Sequence, residues 1–235
     1  MFMCLLALGC GGQKTNIDWG PADSNTCPGG QNVRLQSTSA WLLTKPEVSI
    51  VYWGSWWVTS QTPQLDNMIV EWNTLANDPR FYSGLSEYGI QPGTLIGNYT
   101  TNWNLPNSPL SENYIETELQ EEITNGNLPP ANANSIYVIE LPSGVHSQLD
   151  INNGYGGHHT NYNGFSFAVI EYNDSTIMSI ATSHEIYEAC TDTDGSGFNG
   201  GSTESEIGDL CGSSYNLDGY IIQKLWLQSQ CKCGP

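Results

Sequence analysis

The chain has 235 residues, of which 6 are Lys or Arg and 24 are Asp or Glu, so its formal charge is −18. Nucleic acids and anionic membranes bind proteins through clustered positive charge, so this balance excludes a nucleic-acid binder and a protein held on a membrane by a polybasic patch. Hydrophobic residues make up 38% and charged residues 13%, which predicts a folded domain rather than a disordered polyelectrolyte.

The N-terminal residues 1–12, MFMCLLALGCGG, resemble the apolar segment and cleavage region of a secretory signal peptide, although no Lys or Arg precedes them. The alternative is a buried N-terminal strand. The run is shorter than the roughly 20 residues that span a bilayer, so we expect no transmembrane segment. Ala7-Leu8-Gly9-Cys10 is close to a lipoprotein signal box. A lipoprotein with its lipid anchor on Cys10 is therefore a second form that the exported protein could take. We expect a secreted or extracellular protein, or one anchored by lipid to the cell surface.

Residues 13–40 are rich in Gly, Pro, Ser, Asn and Thr without periodicity, so we expect a linker there and one folded domain over residues 41–235. The cysteines match no zinc-finger spacing, and structural disulfides fit an exported chain better. We expect Cys211 to pair with Cys231 or Cys233, because these cysteines flank the same C-terminal strand region.

Hydrophobic periodicity predicts strands that interleave with helices. Apolar, β-branched and aromatic runs predict strands over 48–53, 93–99, 135–141, 165–170 and 220–226. Apolar residues at helical spacing predict helices over 64–76, 111–123 and 174–191, and a short helix is expected over 203–210. Residues 144–164 are rich in Gly, Asn and His and predict a long loop, which is uncommon in a compact domain unless it is functional. The predicted fold class is α/β or α+β in a single domain.

The motif that carries chemistry is His184-Glu185-Ile186-Tyr187-Glu188 in the C-terminal helix. Positions i and i+4 share one helical face, so His184 and Glu188 can bind the same ion, with Glu185 beside that face. Zinc peptidases place two ligands and a general base in this way, although their usual pattern is H-E-x-x-H. A carboxylate in place of the second His still binds zinc and shifts the site toward harder metals. We therefore predict His184 and Glu188 as metal ligands and Glu185 as the catalytic base.

The third metal ligand is an open choice among four residues. In one class of zinc peptidase it is an acidic residue about 20 positions beyond the second ligand, which favours Asp209 and then Glu206. Asp192 shares the helical face of His184 and Glu188 if the helix continues that far. His159, in the Gly-rich region, is the remaining alternative. We rank Asp209 first, then Asp192, Glu206 and His159.

Simpler interpretations of the same residues exist. Glu185 and Glu188 could form a solvated acidic helix face, and His158 and His159 could be ordinary polar loop residues. Asp192-Thr193-Asp194-Gly195 resembles the start of a calcium-binding EF-hand loop, but the closing Glu is missing, so calcium is the alternative to zinc.

Taken together, the motifs resemble those of a group of secreted bacterial and fungal proteins that are distantly similar to plant exordium-like cell-wall proteins and to zincin metallopeptidases. They span about residues 45–233 in this order: Tyr52 to Trp56, Gly157-His158-His159, Ser183 to Asp192, Glu206 to Cys211, and Gln223 to Trp226. The resemblance implies a zincin-like domain with a mixed sheet and an active-site helix. Two positions depart from the pattern: Thr193 replaces the usual Pro, and Cys190 replaces an aliphatic residue, which suggests an extra disulfide.

The sequence thus predicts a secreted zinc-dependent hydrolase, and specifically a peptidase that acts on a peptide or protein. A donor such as His159 or Tyr155 would stabilise the oxyanion, and Tyr187 is expected in the core. The alternative is a non-catalytic exported protein of exordium-like type that binds a cell-wall polysaccharide through exposed Trp56, Trp57 and Trp103, which otherwise belong to the core.

Overall fold

The computed structural model describes Cys27 and residues 32–103, 109–201 and 205–235. The predicted signal segment and the anchor position Cys10 lie outside these residues. The described chain forms the following strands and α-helices: β1 (Arg34–Leu35), β2 (Glu47–Tyr52), α1 (Trp56–Ser60), α2 (Thr62–Leu75), β3 (Thr94–Thr100), α3 (Glu112–Thr124), β4 (Ser135–Glu140), α4 (Gln148–Asn153), β5 (Gly157–Tyr162), β6 (Phe165–Ile170), α5 (Ser175–Thr191), β7 (Phe198–Asn199), β8 (Ser214–Leu217), β9 (Tyr220–Gln223), β10 (Leu225–Leu227) and β11 (Lys232–Gly234).

A mixed five-stranded sheet forms the centre of the domain, in the order β3-β2-β4-β6-β5. The first four strands of this order pair in parallel, whereas the edge strand β5 pairs antiparallel to β6. β4 and β6 are buried along their whole length, as expected for parallel strands covered on both faces. The predicted α+β class with a mixed sheet is confirmed.

Helices cover both faces of this sheet. Successive strand residues point to opposite faces, so Ile136 and Val138 join one core cluster while Tyr137 and Ile139 join the other. The first cluster contains the buried stripes of α2 and α5, including Trp72, and the second contains Ile115 and Leu119 of α3. The predicted core position of Tyr187 is confirmed.

Three expectations about secondary structure are wrong. The predicted loop 144–164 contains α4, whose N-cap Ser147 accepts hydrogen bonds from Leu149 N and Asp150 N, and also the edge strand β5. The described part of the predicted helix 203–210 forms a bridge from Glu206 to Asn199, followed by a turn over 207–210. The predicted strand 220–226 is interrupted at Lys224, where β9 ends and β10 begins.

Two disulfides join the C-terminal region to the rest of the domain. Cys211 pairs with Cys233, one of its two predicted partners, and Cys27 pairs with Cys231. Strand β1 pairs with β7, so the described residues before Trp41 are attached to the domain by a disulfide and by backbone pairing. The extra disulfide expected at Cys190 is not formed: among the described cysteines Cys190 is a buried free thiol.

None of the helices in the described ranges is long and apolar enough to cross a membrane.

Candidate metal centre

The residues of the predicted motif lie on α5, which packs against the sheet beside its β5 edge. Asp174 caps this helix, because its Oδ1 accepts hydrogen bonds from Thr176 N and Ile177 N, both at 3.1 Å. From that start the helix continues to Thr191 and places His184 and Glu188 one turn apart. The ring Nε2 of His184 lies 3.1 Å from Oε2 of Glu188.

The turn over 207–210 brings Asp209 to the same point. Oδ1 of Asp209 lies 3.6 Å from Nε2 of His184. The backbone N–H groups of Gly208 and Asp209 donate to Oε1 of Glu188 at 3.1 and 3.0 Å, which leaves Oε2 of Glu188 facing His184. One ligand atom each from His184, Glu188 and Asp209 lies within 4.8 Å of the others, so these three residues can hold a metal ion. We call them the His184 group.

Gly208 permits this close approach of the turn to the helix. A Cβ atom at position 208 would lie 2.7 Å from Oε1 of Glu188 and 2.8 Å from Nδ1 of His184. A side chain there would push the turn away from both ligands, so only glycine fits this position.

A second set of candidate ligands includes His159 of β5. Its Nδ1 lies 3.1 Å from Oε2 of Glu185 and 3.8 Å from Oε2 of Glu188, while its Nε2 lies 3.2 Å from the carbonyl oxygen of Asp192. One atom each from His159, Glu185 and Glu188 again lies within 4.8 Å of the others. We call these residues the His159 group, and Glu188 belongs to both groups.

The structure separates the four candidates for the third ligand. Asp209 lies in the His184 group and His159 in the other. Glu206 lies behind the His159 ring, where its Oε2 is 3.8 Å from Nε2 of His159. Asp192 uses both carboxylate oxygens elsewhere: Gly197 N donates to Oδ1 and Asn199 Nδ2 donates to Oδ2, each at 2.6 Å.

Neither group includes Asp192 or Asp194, the residues that resemble an EF-hand loop. In the described chain Asp194 accepts hydrogen bonds from Ser196, which closes a local turn. The calcium interpretation therefore gains no support from the geometry of this loop.

Burial and crowded charge perturb the titration of these side chains. Burial lowers the pKa of His184, but the carboxylates of Glu188, Glu185 and Asp209 outweigh burial and raise it to about 10. Burial raises the pKa of Glu188, but His184 and His159 outweigh it and hold that pKa below its usual range. Burial, with Glu188 next to it, raises the pKa of Asp209 to about 6 and holds that of Glu206 well above its usual range. A metal ion must displace protons here, because only deprotonated side chains coordinate.

The centre lies at the wall of an open cavity of about 910 Å³. Leu149, Tyr155 and Ile177 line the cavity and are exposed to 39%, 47% and 46%. Ile180 and Ala181 on α5 continue the same apolar wall toward His184. The cavity therefore combines an acidic, histidine-containing side with an apolar side.

Sequence reasoning missed the pairing of His159 with Glu185. Neighbouring residues of a strand face opposite sides, so His158 contacts Asp150 and Glu112 at 2.8 Å each while His159 contacts α5. The His158-His159 pair predicts one histidine on each face of the sheet only if residues 157–162 are known to form a strand.

The three tryptophans of the alternative interpretation, polysaccharide binding, do not form an exposed binding surface. Trp57 and Trp103 are buried, and Trp56 is half-buried and packs edge-on against Trp57 and Tyr172. Trp57 and Trp103 are therefore core residues and cannot contact a polysaccharide.

The chain matches no protein-family profile, and it matches no curated protein sequence significantly. The resemblance to exordium-like and zincin-like proteins therefore stays a prediction that rests on the motifs.

Proposed function

We propose that the protein is a secreted, zinc-dependent hydrolase whose substrate is a peptide or protein. The observation that carries this proposal is the convergence of His184, Glu188 and Asp209 at the wall of an open cavity. One histidine and two carboxylates are a donor set that zinc accepts, and three protein ligands would leave a fourth position for water. The two disulfides indicate an oxidising environment, which fits a secreted chain.

A zinc ion in this position would act as a Lewis acid and lower the pKa of water toward neutrality. Residues of the chain would orient the ligands and transfer the proton. Gly208 N and Asp209 N hold Oε1 of Glu188, which fixes the orientation of that carboxylate. Glu185 lies one residue along α5 from His184, at the cavity wall, and would take the proton of the attacking water and return it to the leaving amine.

The lining of the cavity favours a substrate with apolar side chains next to the reacting bond. A substrate would cover exposed apolar surface of Leu149, Tyr155 and Ile177. Each Å² of apolar surface buried in this way stabilises the complex by about 25 cal/mol. The acidic side of the cavity and the chain charge of −18 both disfavour an anionic substrate. We therefore expect uncharged or basic peptides with bulky apolar residues to be the preferred substrates.

The proposal is tested by digesting a mixed peptide library with the wild-type protein and with Glu185→Gln, and by reading the products by mass spectrometry. Gln has nearly the same shape as Glu but cannot accept the proton, and loss of a positioned general base costs roughly 10²–10⁴-fold in rate. We expect Glu185→Gln to keep the ion of the His184 group and to lose that factor. Equal cleavage by both proteins would refute the role of Glu185.

If zinc-loaded wild-type protein cleaves nothing in a broad library, the hydrolase proposal is wrong. A non-catalytic exported protein would then be the remaining interpretation, but not one that binds a polysaccharide through the buried Trp57 or Trp103.

A further inference from the structure

The two histidines of the centre point at two different positions. Ligand atoms of one tetrahedral zinc, each about 2.1 Å from the ion, lie about 3.4 Å apart. Among the described residues, no group of three or more candidate ligand atoms within 4.8 Å of one another contains both His159 and His184. A single ion therefore reaches one imidazole or the other from the observed geometry, and each imidazole has its own carboxylate partners.

The hydrogen bonds of His159 direct its Nδ1 toward the His159 group. A carbonyl oxygen only accepts, so the contact with Asp192 O at 3.2 Å places a hydrogen on Nε2. In the neutral ring Nδ1 then presents a lone pair to Glu185 Oε2 and Glu188 Oε2, at 3.1 and 3.8 Å. Three acceptor atoms that face one point need a cation or a proton between them.

The His159 ring is oriented in the way that metal-binding histidines usually are. Metal-binding histidines characteristically donate the other ring N–H to a carboxylate or a backbone carbonyl, which fixes the tautomer and the direction of the ring. His159 makes this bond to the residue that follows α5, so the strand β5 and the end of α5 jointly hold the ring.

The balance of charge also favours more than one ion. Glu185, Glu188 and Asp209 carry three negative charges when they are ionised. One divalent ion leaves an excess of negative charge from these three carboxylates at a mostly buried site, and a second divalent ion removes that excess. Uncompensated buried charge is costly, so the second ion would stabilise the ionised cluster.

We propose that His159, Glu185 and Glu188 hold a second divalent metal ion, and that Glu188 bridges it to the ion of the His184 group. Glu185 would bind this ion through Oε2, the oxygen that faces His159, which leaves its Oε1 for the proton transfer proposed above. The inference rests on the metal-dependent function proposed above, but it concerns the number of ions rather than the reaction. Ions that share a carboxylate in two-metal sites lie about 3.5–4 Å apart. Carboxylate-rich sites of this type accept Mn²⁺ as well as Zn²⁺.

The experiment is a calorimetric titration of the metal-free full-length protein with Mn²⁺, together with electron paramagnetic resonance of the loaded protein. We expect two Mn²⁺ per chain and a spectrum of two exchange-coupled ions. His159→Asn and Glu185→Gln should each bind one Mn²⁺ with an uncoupled spectrum. His146→Asn is the matched control, because His146 is an exposed histidine that pairs with Glu171, outside both groups. It should behave as the wild type does.

Either of two results would overturn the second ion: one uncoupled Mn²⁺ per wild-type chain, or two coupled ions that persist in both His159→Asn and Glu185→Gln. Using Glu185→Gln, which preserves side-chain volume, guards against a folding defect of His159→Asn. Failure here is distinguishable from failure of the proposed function, since a one-ion protein that cleaves peptides remains a hydrolase.

Discussion

Glu188 connects every part of the candidate centre. Its Oε1 is held by Gly208 N and Asp209 N, and its Oε2 faces His184 at 3.1 Å and His159 at 3.8 Å. The i, i+4 spacing in the sequence was enough to predict Glu188 and His184 as partners. The spacing could not predict the backbone donors, because they come from a turn 20 residues further along the chain.

Asp192 shows how a residue with suitable spacing can have a different role. Its side chain is buried, and its two oxygens accept hydrogen bonds from Gly197 N and Asn199 Nδ2 in the segment after α5. Spacing alone made Asp192 a candidate ligand, but the chain turns at this residue and directs its carboxylate into the loop. The outcome depended on tertiary contacts that no local pattern encodes.

We predict that Asp192→Asn lowers stability without affecting metal binding. The NH₂ group of the new Asn would face Gly197 N or Asn199 Nδ2, which are both hydrogen-bond donors. One buried donor would then lack an acceptor, which costs about 1–3 kcal/mol of the free energy of unfolding. Asp209→Asn is the matched variant: it should weaken zinc binding and leave the stability of the metal-free protein nearly unchanged. Urea denaturation and zinc titration measure the two effects. Loss of zinc from Asp192→Asn at full stability would reverse the assignment.

Helix α5 is tied to the sheet by a buried carboxyl group as well as by apolar contacts. Thr182 Oγ1 donates to Oε1 of Glu140 at 2.7 Å, and Glu71 of α2 and Tyr52 of β2 face the same interior space. Burial raises the pKa of Glu140 to about 8 and that of Glu71 to about 7. Both groups are therefore protonated in the folded protein under mildly acidic conditions.

The raised pKa of Glu140 makes stability depend on pH. The folded protein holds this proton up to about pH 8, whereas the carboxyl group of an unfolded Glu has its ordinary pKa of 4.5 and releases the proton near that pH. The stabilisation is therefore complete below about pH 4.5 and is lost as pH rises toward 8. We expect Glu140→Gln, which resembles the protonated acid, to flatten the decline of Tm between pH 5 and pH 8 in thermal melts. A parallel decline in wild type and variant would contradict this prediction.

Elements with regular apolar patterns were predicted well from the sequence, and polar elements were not. β4 and β6 are mostly apolar runs, such as Ile136 to Ile139, and are buried on both faces, with Glu140 and Ser166 among the exceptions. β5 has the sequence Gly-His-His-Thr-Asn-Tyr, with polar residues on both faces. Its strand conformation comes from pairing with β6 and from the bonds of His158 to Asp150 and Glu112.

The whole domain places the candidate centre where three separate regions meet. β5 at the edge of the sheet supplies His159, α5 supplies the motif residues, and the turn before Cys211 supplies Asp209. The Cys211–Cys233 disulfide fixes the chain two residues beyond Asp209 to the C-terminal hairpin of β10 and β11. The sequence predicted this disulfide as one of two pairings, since Cys231 and Cys233 are nearly equivalent in sequence and only their three-dimensional positions distinguish them.

The central claim is that these regions assemble a metal centre around Glu188. The most direct measurement is the zinc content, by inductively coupled plasma analysis, of protein loaded with zinc and then dialysed. Wild-type protein and Glu121→Gln, an exposed carboxyl control on α3, should retain stoichiometric zinc. Glu188→Gln keeps an acceptor for Gly208 N and Asp209 N but loses the charge shared by both groups, so it should retain almost none. Zinc-free wild-type protein, or equal zinc in wild type and Glu188→Gln, would contradict the claim.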